Sequence, residues 1–178
     1  LEPVYLKRGA WKDVRRTIDA RLAASQDPGE RIELLKRLAT LEEEQLENFG
    51  AAMEATARLL HEDIGDRAVW AELERLARAS SAERKLGEIF AAELAKVDSD
   101  DETTAELCKR TGQIFSDVGD ATQALVWYRR AHAFEPESVE LFSAIEKLLV
   151  KEDRFAERVD LMRAALDHRD GDEKLRLY

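Results

Sequence analysis

The acidic stretch at residues 98–102 is the segment whose residue types could bind a metal ion. It reads Asp98-Ser-Asp-Asp-Glu102 and supplies the carboxylate oxygens that Ca²⁺ prefers. A calcium-binding EF-hand loop also needs glycine at its sixth position and glutamate at its twelfth. Counted from Asp98, these positions hold Thr103 and Lys109. We therefore interpret the stretch as a loop that leads into an acidic first helical turn, where negative charge is favourable.

The histidines and the single cysteine form no pattern that indicates catalysis. His61, His132 and His168 are far apart in the sequence, and each falls near the end of a predicted helix. Cys108 is interpreted as core packing, because no motif marks it as a nucleophile. The sequence also contains no glycine-rich phosphate loop, Ser-centred elbow or zinc-binding His pair. We expect a protein that is not an enzyme and has no metal site or cofactor.

A run of glutamates occupies residues 42–44 and is followed by Glu47. Carboxylate pairs such as Glu42 and Glu43 are common on charged helices, so they do not indicate an acid–base pair. We interpret the run as a solvated helix end.

Composition restricts the classes of partner. The 178 residues carry a formal net charge of −10, with a pI near 4.9. Binding to nucleic-acid phosphates depends on clustered Lys and Arg, so this acidic balance argues against nucleic acid, and equally against an anionic membrane surface. No apolar run approaches the roughly 18 residues that a membrane span needs. The single cysteine permits no internal disulfide and is compatible with a reducing compartment.

The two ends of the chain look like the interior of a longer protein. The sequence starts with Leu1 rather than Met, inside a predicted helix, and residues 172–178 look like the start of another helix. We therefore expect a fragment, for which a cytoplasmic location is the preferred interpretation, although targeting segments could lie outside it.

Helical periodicity and helix-start signals predict an all-α fold. Apolar residues recur every three or four positions, as in Phe155, Val159, Met162 and Leu166, and no long segment alternates with period two. Asp27 with Glu30, Ser80 with Glu83, and Ser99 with Glu102 have capping-box spacing, and Asp120 with Gln123 is a near variant. These signals predict nine complete helices, with part of one more at each end.

Small, aromatic and proline residues follow a distinctive spacing within residues 105–138. The positions concerned are Cys108, Thr111, Gly112, Phe115, Ala124, Tyr128, Ala131 and Pro136. This spacing resembles one tetratricopeptide repeat, a 34-residue helix-turn-helix unit. The resemblance implies a right-handed α-solenoid of antiparallel helix pairs, in which each unit needs stacked neighbours to bury its apolar faces.

Weaker relatives of this unit recur along the chain. Residues 72 positions apart match three times over, as in Leu1, Leu73 and Ile145, or Ala20, Ala92 and Ala164. In the unit that begins near Glu30, the turn between the two helices is one residue longer. We expect residues 1–178 to form a single array, with units at about 1–25, 30–63, 67–97, 105–138 and 139–170 and the start of another at 172–178.

The resemblance also implies where a ligand would bind, because first helices of such repeats line a concave groove. Carrying this geometry over unit by unit selects polar positions in the middle of the first helices. The predicted groove residues are Lys36, Arg37, Arg75, Arg78, Lys109, Arg110, Gln113, Lys147 and Lys151. A basic strip in an acidic protein would attract an acidic peptide segment or a chain-terminal carboxylate. The implied function is a protein-interaction scaffold that holds a peptide segment or a partner helix.

Other interpretations remain open. The same charges could simply form exposed pairs on helix surfaces, each worth a few tenths of a kcal/mol. The array could be a spacer or regulatory arm that positions flanking domains, or an RNA-processing scaffold, which the acidic balance disfavours. Apolar helix faces without a neighbour at either end would favour end-to-end self-association.

Overall fold

The computed structural model describes residues 8–98 and 101–167, and within these ranges it contains nine helices and no strand. The helices are α1 (Trp11–Ala24), α2 (Pro28–Glu44), α3 (Phe49–Glu62), α4 (Arg67–Ser80), α5 (Glu83–Leu94), α6 (Glu102–Asp117), α7 (Ala121–Phe134), α8 (Val139–Lys151) and α9 (Phe155–Asp167). The predicted all-α class and the nine complete helices are confirmed. The helical pieces predicted before residue 8 and after residue 171 lie outside the described residues.

The chain divides into two compact units at Ile89 and Phe90, which are consecutive residues of α5. In the first unit α1 contacts α2, α2 contacts α3, and α3 contacts α4. In the second unit α6, α7, α8 and α9 make the same succession of contacts. The loops between these helices contain only three or four residues, so contacting neighbours run antiparallel. Each unit is thus a succession of antiparallel helices in contact with their neighbours along the chain.

Side-chain caps begin most of these helices. The Asp27 carboxylate accepts the backbone N–H of Glu30 at 3.0 Å, and Asp120 accepts that of Gln123 at 3.1 Å, as their spacing predicts. Such a cap satisfies one of the N–H groups that have no partner within the first helical turn.

Two predicted caps are wrong. Ser80 lies in the last turn of α4, where its hydroxyl donates to the carbonyl of Leu76 at 2.8 Å. Ser81 then adopts a left-handed conformation (φ 52°) that ends α4, so that α5 begins only at Glu83. Ser99 lies outside the described residues, and the cap of α6 is Asp101, whose carboxylate accepts the N–H of Thr104 at 2.7 Å. Asp101 belongs to the acidic stretch, which therefore leads into a helix.

The residues that carry the repeat resemblance are packing positions in the α6–α7 pair. Cys108, Phe115, Ala124 and Ala131 are all buried. At Gly112 the two helices approach so closely that a Cβ atom placed there would lie 2.7 Å from Cδ1 of Tyr128. Only a residue without a side chain fits this contact. The pattern therefore identified the contact surfaces of the α6–α7 pair correctly.

The first unit has a core of its own, built from different residues. Trp70, Leu73, Met53 and Leu60 have no exposed surface. The turn between α2 and α3 spans residues 45–48, one residue more than the α6–α7 turn at 118–120, as predicted. Within this turn Glu47 takes a left-handed conformation (φ 51°).

The apolar stripe predicted on α9 is only partly covered. Phe155 and Val159 are 61% and 45% exposed, whereas Met162 is half-buried. The side chain of Leu166 lies outside the described residues. None of the described helices combines the length and apolar character that crossing a membrane requires.

Candidate functional site

Arg75, in the first unit, is tied to two acidic side chains. Its guanidinium donates to both carboxylate oxygens of Glu72, at 2.9 and 2.7 Å, and to Oε2 of Glu43 on α2 at 2.5 Å. These hydrogen bonds lower the pKa of Glu72 and raise that of Arg75. Two carboxylates surround one guanidinium, so Arg75 offers no excess positive charge to a ligand.

The other predicted groove residues of the first unit are exposed. Lys36 lies 3.6 Å from Oε1 of Glu33, an exposed pair that contributes little. Lys36 and Arg37 line one wall of a cleft of about 340 Å³ whose floor contains Val14 and Ile18. Arg78 is exposed in the last turn of α4.

Two of the basic residues predicted in the second unit are also neutralised by acids. The Lys109 ammonium lies 2.6 Å from Oε2 of Glu135, and the Arg110 guanidinium lies 3.3 Å from Oε1 of Glu106. The side chains of Lys109 and Arg110 are only partly exposed, at 37% and 39%. The basic strip predicted along the first helices is therefore interrupted at Arg75, Lys109 and Arg110.

Gln113 belongs to a chain of hydrogen bonds that fixes the wall of a cleft. The hydroxyl of the buried Tyr128 donates to Oε1 of Gln113 at 3.0 Å, and Nε2 of Gln113 donates to Oδ1 of Asp117 at 2.7 Å. Burial raises the pKa of Tyr128, and the nearby Asp117 carboxylate raises it further. The phenol is therefore a neutral donor at physiological pH, and the amide of Gln113 has a defined orientation.

The cleft has a volume of about 520 Å³ and lies within the second unit, among α6, α7 and α8. We call it the α6–α8 cleft. It is lined by Gln113, Ser116, Tyr128, Val139, Glu140, Ser143, Ala144, Lys147 and Leu148. Val139 is 64% exposed, an apolar side chain at the mouth of the cleft. Of the nine predicted groove residues, Gln113 and Lys147 lie here, whereas Lys151 is exposed at the end of α8 and does not line it.

Charge in the α6–α8 cleft is sparse. Glu140 and Lys147 are its charged lining residues, and both are exposed. Neither forms an ion pair within the ranges that the structure describes. The remaining polar groups are an amide, hydroxyls and a phenol. Such a surface suits a chain with apolar contacts and a few polar anchors.

The interpretation of Glu42 as solvated is wrong. Its side chain is only 2% exposed, and its Oε1 lies 2.7 Å from Nε of Arg15 on α1. Burial raises the pKa of Glu42, and the positive charge of Arg15 partly opposes this rise. The repeat register contained a signal, because Ala39 and Glu42 have the same spacing as Gly112 and Phe115. Glu42 therefore stands where the better-matched unit has a buried phenylalanine.

Metal ligands do not cluster in the described part of the chain, where no group of three or more His, Cys, Asp and Glu side chains could hold an ion. Asp100 of the acidic stretch lies outside this part. Cys108 is buried among the packing positions of α6.

Neither a protein-family model nor a curated protein matches the chain. Among solved structures it is similar to the MamA protein, with 15% identity over 94% of this chain and 87% of that one and a TM-score of 0.46. It is also similar to PilF of Pseudomonas aeruginosa, with 13% identity, 99% and 78% coverage and a TM-score of 0.44. A thermophilic TPR protein of Thermus thermophilus matches with 18% identity, 99% and 96% coverage and a TM-score of 0.42.

Proposed function

We propose that this chain is a non-enzymatic protein-interaction scaffold and that its α6–α8 cleft binds a peptide segment or partner helix of another protein. The observation that carries the proposal is the cleft itself. It joins an exposed apolar side chain, Val139, to two charges, Glu140 and Lys147, that form no ion pair with any residue the structure describes. Surfaces of this kind acquire their affinity from a few well-placed anchors. The single array of repeats predicted from the sequence is part of this proposal.

The internal ion pairs reduce the number of predicted groove residues that can serve as anchors for a ligand. Arg75, Lys109 and Arg110 already contact carboxylates of their own unit. An acidic ligand would have to displace these carboxylates, and the exchange would gain little free energy. Within the second unit, Lys147 is the better anchor for a ligand carboxylate, and Gln113 is the better anchor for a backbone amide.

A pair of charge reversals on α8 tests the proposal. Lys147→Glu changes the cleft, whereas Lys151→Glu makes the same change in charge one turn away, outside the cleft. Affinity capture with quantitative mass spectrometry should recover partners with the wild-type chain and with Lys151→Glu, and should lose them with Lys147→Glu. Equal recovery by the two variants would overturn the assignment of the cleft.

The second candidate function is a spacer or regulatory arm without a groove ligand. The neutralisation of Arg75, Lys109 and Arg110 favours it, because charges that are already paired leave less for a groove ligand to bind. In that case capture would recover no partner with the wild-type chain. An RNA-processing role is disfavoured by the net charge of −10, and absence of RNA retention at moderate salt would exclude it.

A further inference from the structure

The two charged residues that line the α6–α8 cleft have opposite signs and lie on the same helix. Glu140 is in the first turn of α8 and Lys147 is seven residues later, which is two turns along the same face. At 1.5 Å per residue, their positions are separated by about 10 Å along the helix axis. The cleft is therefore negative towards the start of α8 and positive towards its end.

The surface between these charges is uncharged. Ser143 and Ala144 are the α8 residues that line the middle of the cleft, and both are small. The opposite wall consists of Gln113, Ser116 and Tyr128, whose phenol is held neutral by burial. A third charge in this stretch would lose hydration without gaining a partner. A ligand that fits must therefore carry its charges at the two ends of the contact.

Neighbouring charges leave this arrangement intact. Lys109 and Arg110 are on the preceding first helix, but each is paired with a carboxylate, at 2.6 and 3.3 Å. Asp117 accepts a hydrogen bond from Gln113. Glu140 and Lys147 are thus the charges of the cleft that have no such partner within the described ranges.

We propose that the α6–α8 cleft selects an extended peptide segment carrying one basic and one acidic residue separated by two uncharged residues, with a small or apolar residue between the two charges. This inference rests on the proposed function and specifies its ligand. In a polyproline-type extended chain, residues three apart share a face and lie about 9 Å apart, which matches the spacing of Glu140 and Lys147. The basic residue pairs with Glu140 and the acidic residue pairs with Lys147. The uncharged residues lie over Ser143 and Ala144.

Opposite charges at the two ends also determine the direction in which the peptide lies. Reversing the order of the two charged residues places like charges together at both ends, unless the peptide turns round in the cleft. Each exposed ion pair contributes little free energy, so the two charges affect which peptide binds, and in which direction, more than they affect the total affinity. We expect exchange of the two charges in a bound peptide to weaken its affinity about fivefold to tenfold.

Selection from a random peptide library displayed on phage tests the inference. The target is the full chain in three forms: wild type, the charge-exchanged variant Glu140→Lys/Lys147→Glu, and Ala144→Trp, which fills the cleft. Wild type should enrich peptides with opposite charges three positions apart. A selected peptide with its two charges exchanged should bind wild type more weakly and the charge-exchanged variant more tightly, as measured by fluorescence anisotropy.

The outcomes separate the two levels of the proposal. If Ala144→Trp abolishes binding but exchanging the charges of the peptide has no effect, the cleft is a binding site and the charge inference is wrong. If selected peptides bind Ala144→Trp with the same affinity as wild type, both the assignment of the cleft as a binding site and the charge inference are wrong. Should Ala144→Trp lose its helical circular dichroism, Ser143→Trp replaces it, because it fills the cleft from the neighbouring lining position without changing a charge.

Discussion

Nε of Arg15 lies 2.7 Å from Oε1 of Glu42, so that α1 and α2 are joined by an ion pair whose acidic member is almost completely buried and whose basic member is half-exposed. The pair is asymmetric. Without Glu42 the guanidinium of Arg15 would still be hydrated, whereas without Arg15 a buried carboxylate would lose its counter-charge. Moving a charged group out of water costs free energy, and attraction to a half-exposed partner recovers this cost only when the geometry of the pair is excellent.

This asymmetry predicts opposite effects of two substitutions. Glu42→Leu should leave the free energy of unfolding unchanged or raise it by about 1 to 2 kcal/mol, because an apolar side chain suits a position that is phenylalanine in the second unit. Arg15→Ala should lower it by about 1 to 3 kcal/mol, because the Glu42 carboxylate is left without its partner. Urea denaturation of both variants measures the difference. A larger decrease in the free energy of unfolding for Glu42→Leu than for Arg15→Ala would show that the ion pair stabilises the protein.

Burial of Glu42 also predicts a dependence of stability on pH. Burial raises its pKa above the ordinary 4.5, the nearby Asp19 and Glu54 raise it further, and Arg15 lowers it. The folded state therefore binds this proton more tightly than the unfolded state. The resulting stabilisation is complete below the unfolded pKa and is lost as pH rises through the folded pKa.

The comparison that isolates this effect is wild type against Glu42→Gln, which does not titrate. The free energy of unfolding of the variant, relative to wild type, should increase as pH rises from about 4.5 towards neutrality. Denaturation in urea at several pH values provides the measurement. A difference that stays constant over this range would mean that the pKa of Glu42 is the same in the folded and unfolded states.

The contact between Gly112 and Tyr128 predicts that even a methyl group is too large at position 112. Gly112→Ala would place a Cβ atom 2.7 Å from the ring of Tyr128, and separating α6 from α7 should cost about 1 to 3 kcal/mol. Gly50→Ala is the matched control in α3, because the nearest atom to its Cβ is 3.7 Å away. Alanine favours helix at such a position, so the control should be neutral or stabilising. Equal thermal melting temperatures for the two variants would contradict the close approach.

Exposure of Phe155 and Val159 predicts concentration-dependent self-association through the apolar face of α9. Replacing both residues with aspartate should remove this association, because two charges would have to be buried at the contact. Val139→Asp, a change at another exposed valine, serves as the control and should still associate. Sedimentation equilibrium measures the average mass, and a wild-type chain that stays monomeric at high concentration would contradict the prediction.

Local signals predicted most of the fold correctly. Asp27 and Asp120 cap helices because a carboxylate three residues before a backbone N–H can reach it, whatever the rest of the chain does. Gly112 and Tyr128 could be assigned to a helix contact because the repeat spacing matched a known pattern. The same local reasoning failed at Ser80, where the left-handed Ser81 delays the next helix and leaves the hydroxyl bonded within α4.

The candidate site could be predicted from the sequence only in part, because many of its ion pairs join residues of different helices. Lys109 pairs with Glu135, which is 26 positions away in the sequence, and Arg75 pairs with Glu43, which is 32 positions away. Spacing along a single helix identified these residues as polar and outward-facing, but the pattern carries no information about which acid stands opposite. Gln113 and Lys147 were selected by the same rule, yet only they line the α6–α8 cleft.

The amino-acid sequence by itself determined that this protein is all-α, where most of its helices begin, and which helix faces are apolar. Periodicity and capping act over three or four residues, so they are expressed before any long-range contact forms. Only the tertiary structure decided which charges remain available to a ligand and that Glu42 is buried. Those outcomes depend on the side chains that a neighbouring helix brings within hydrogen-bonding distance, and no local pattern specifies them.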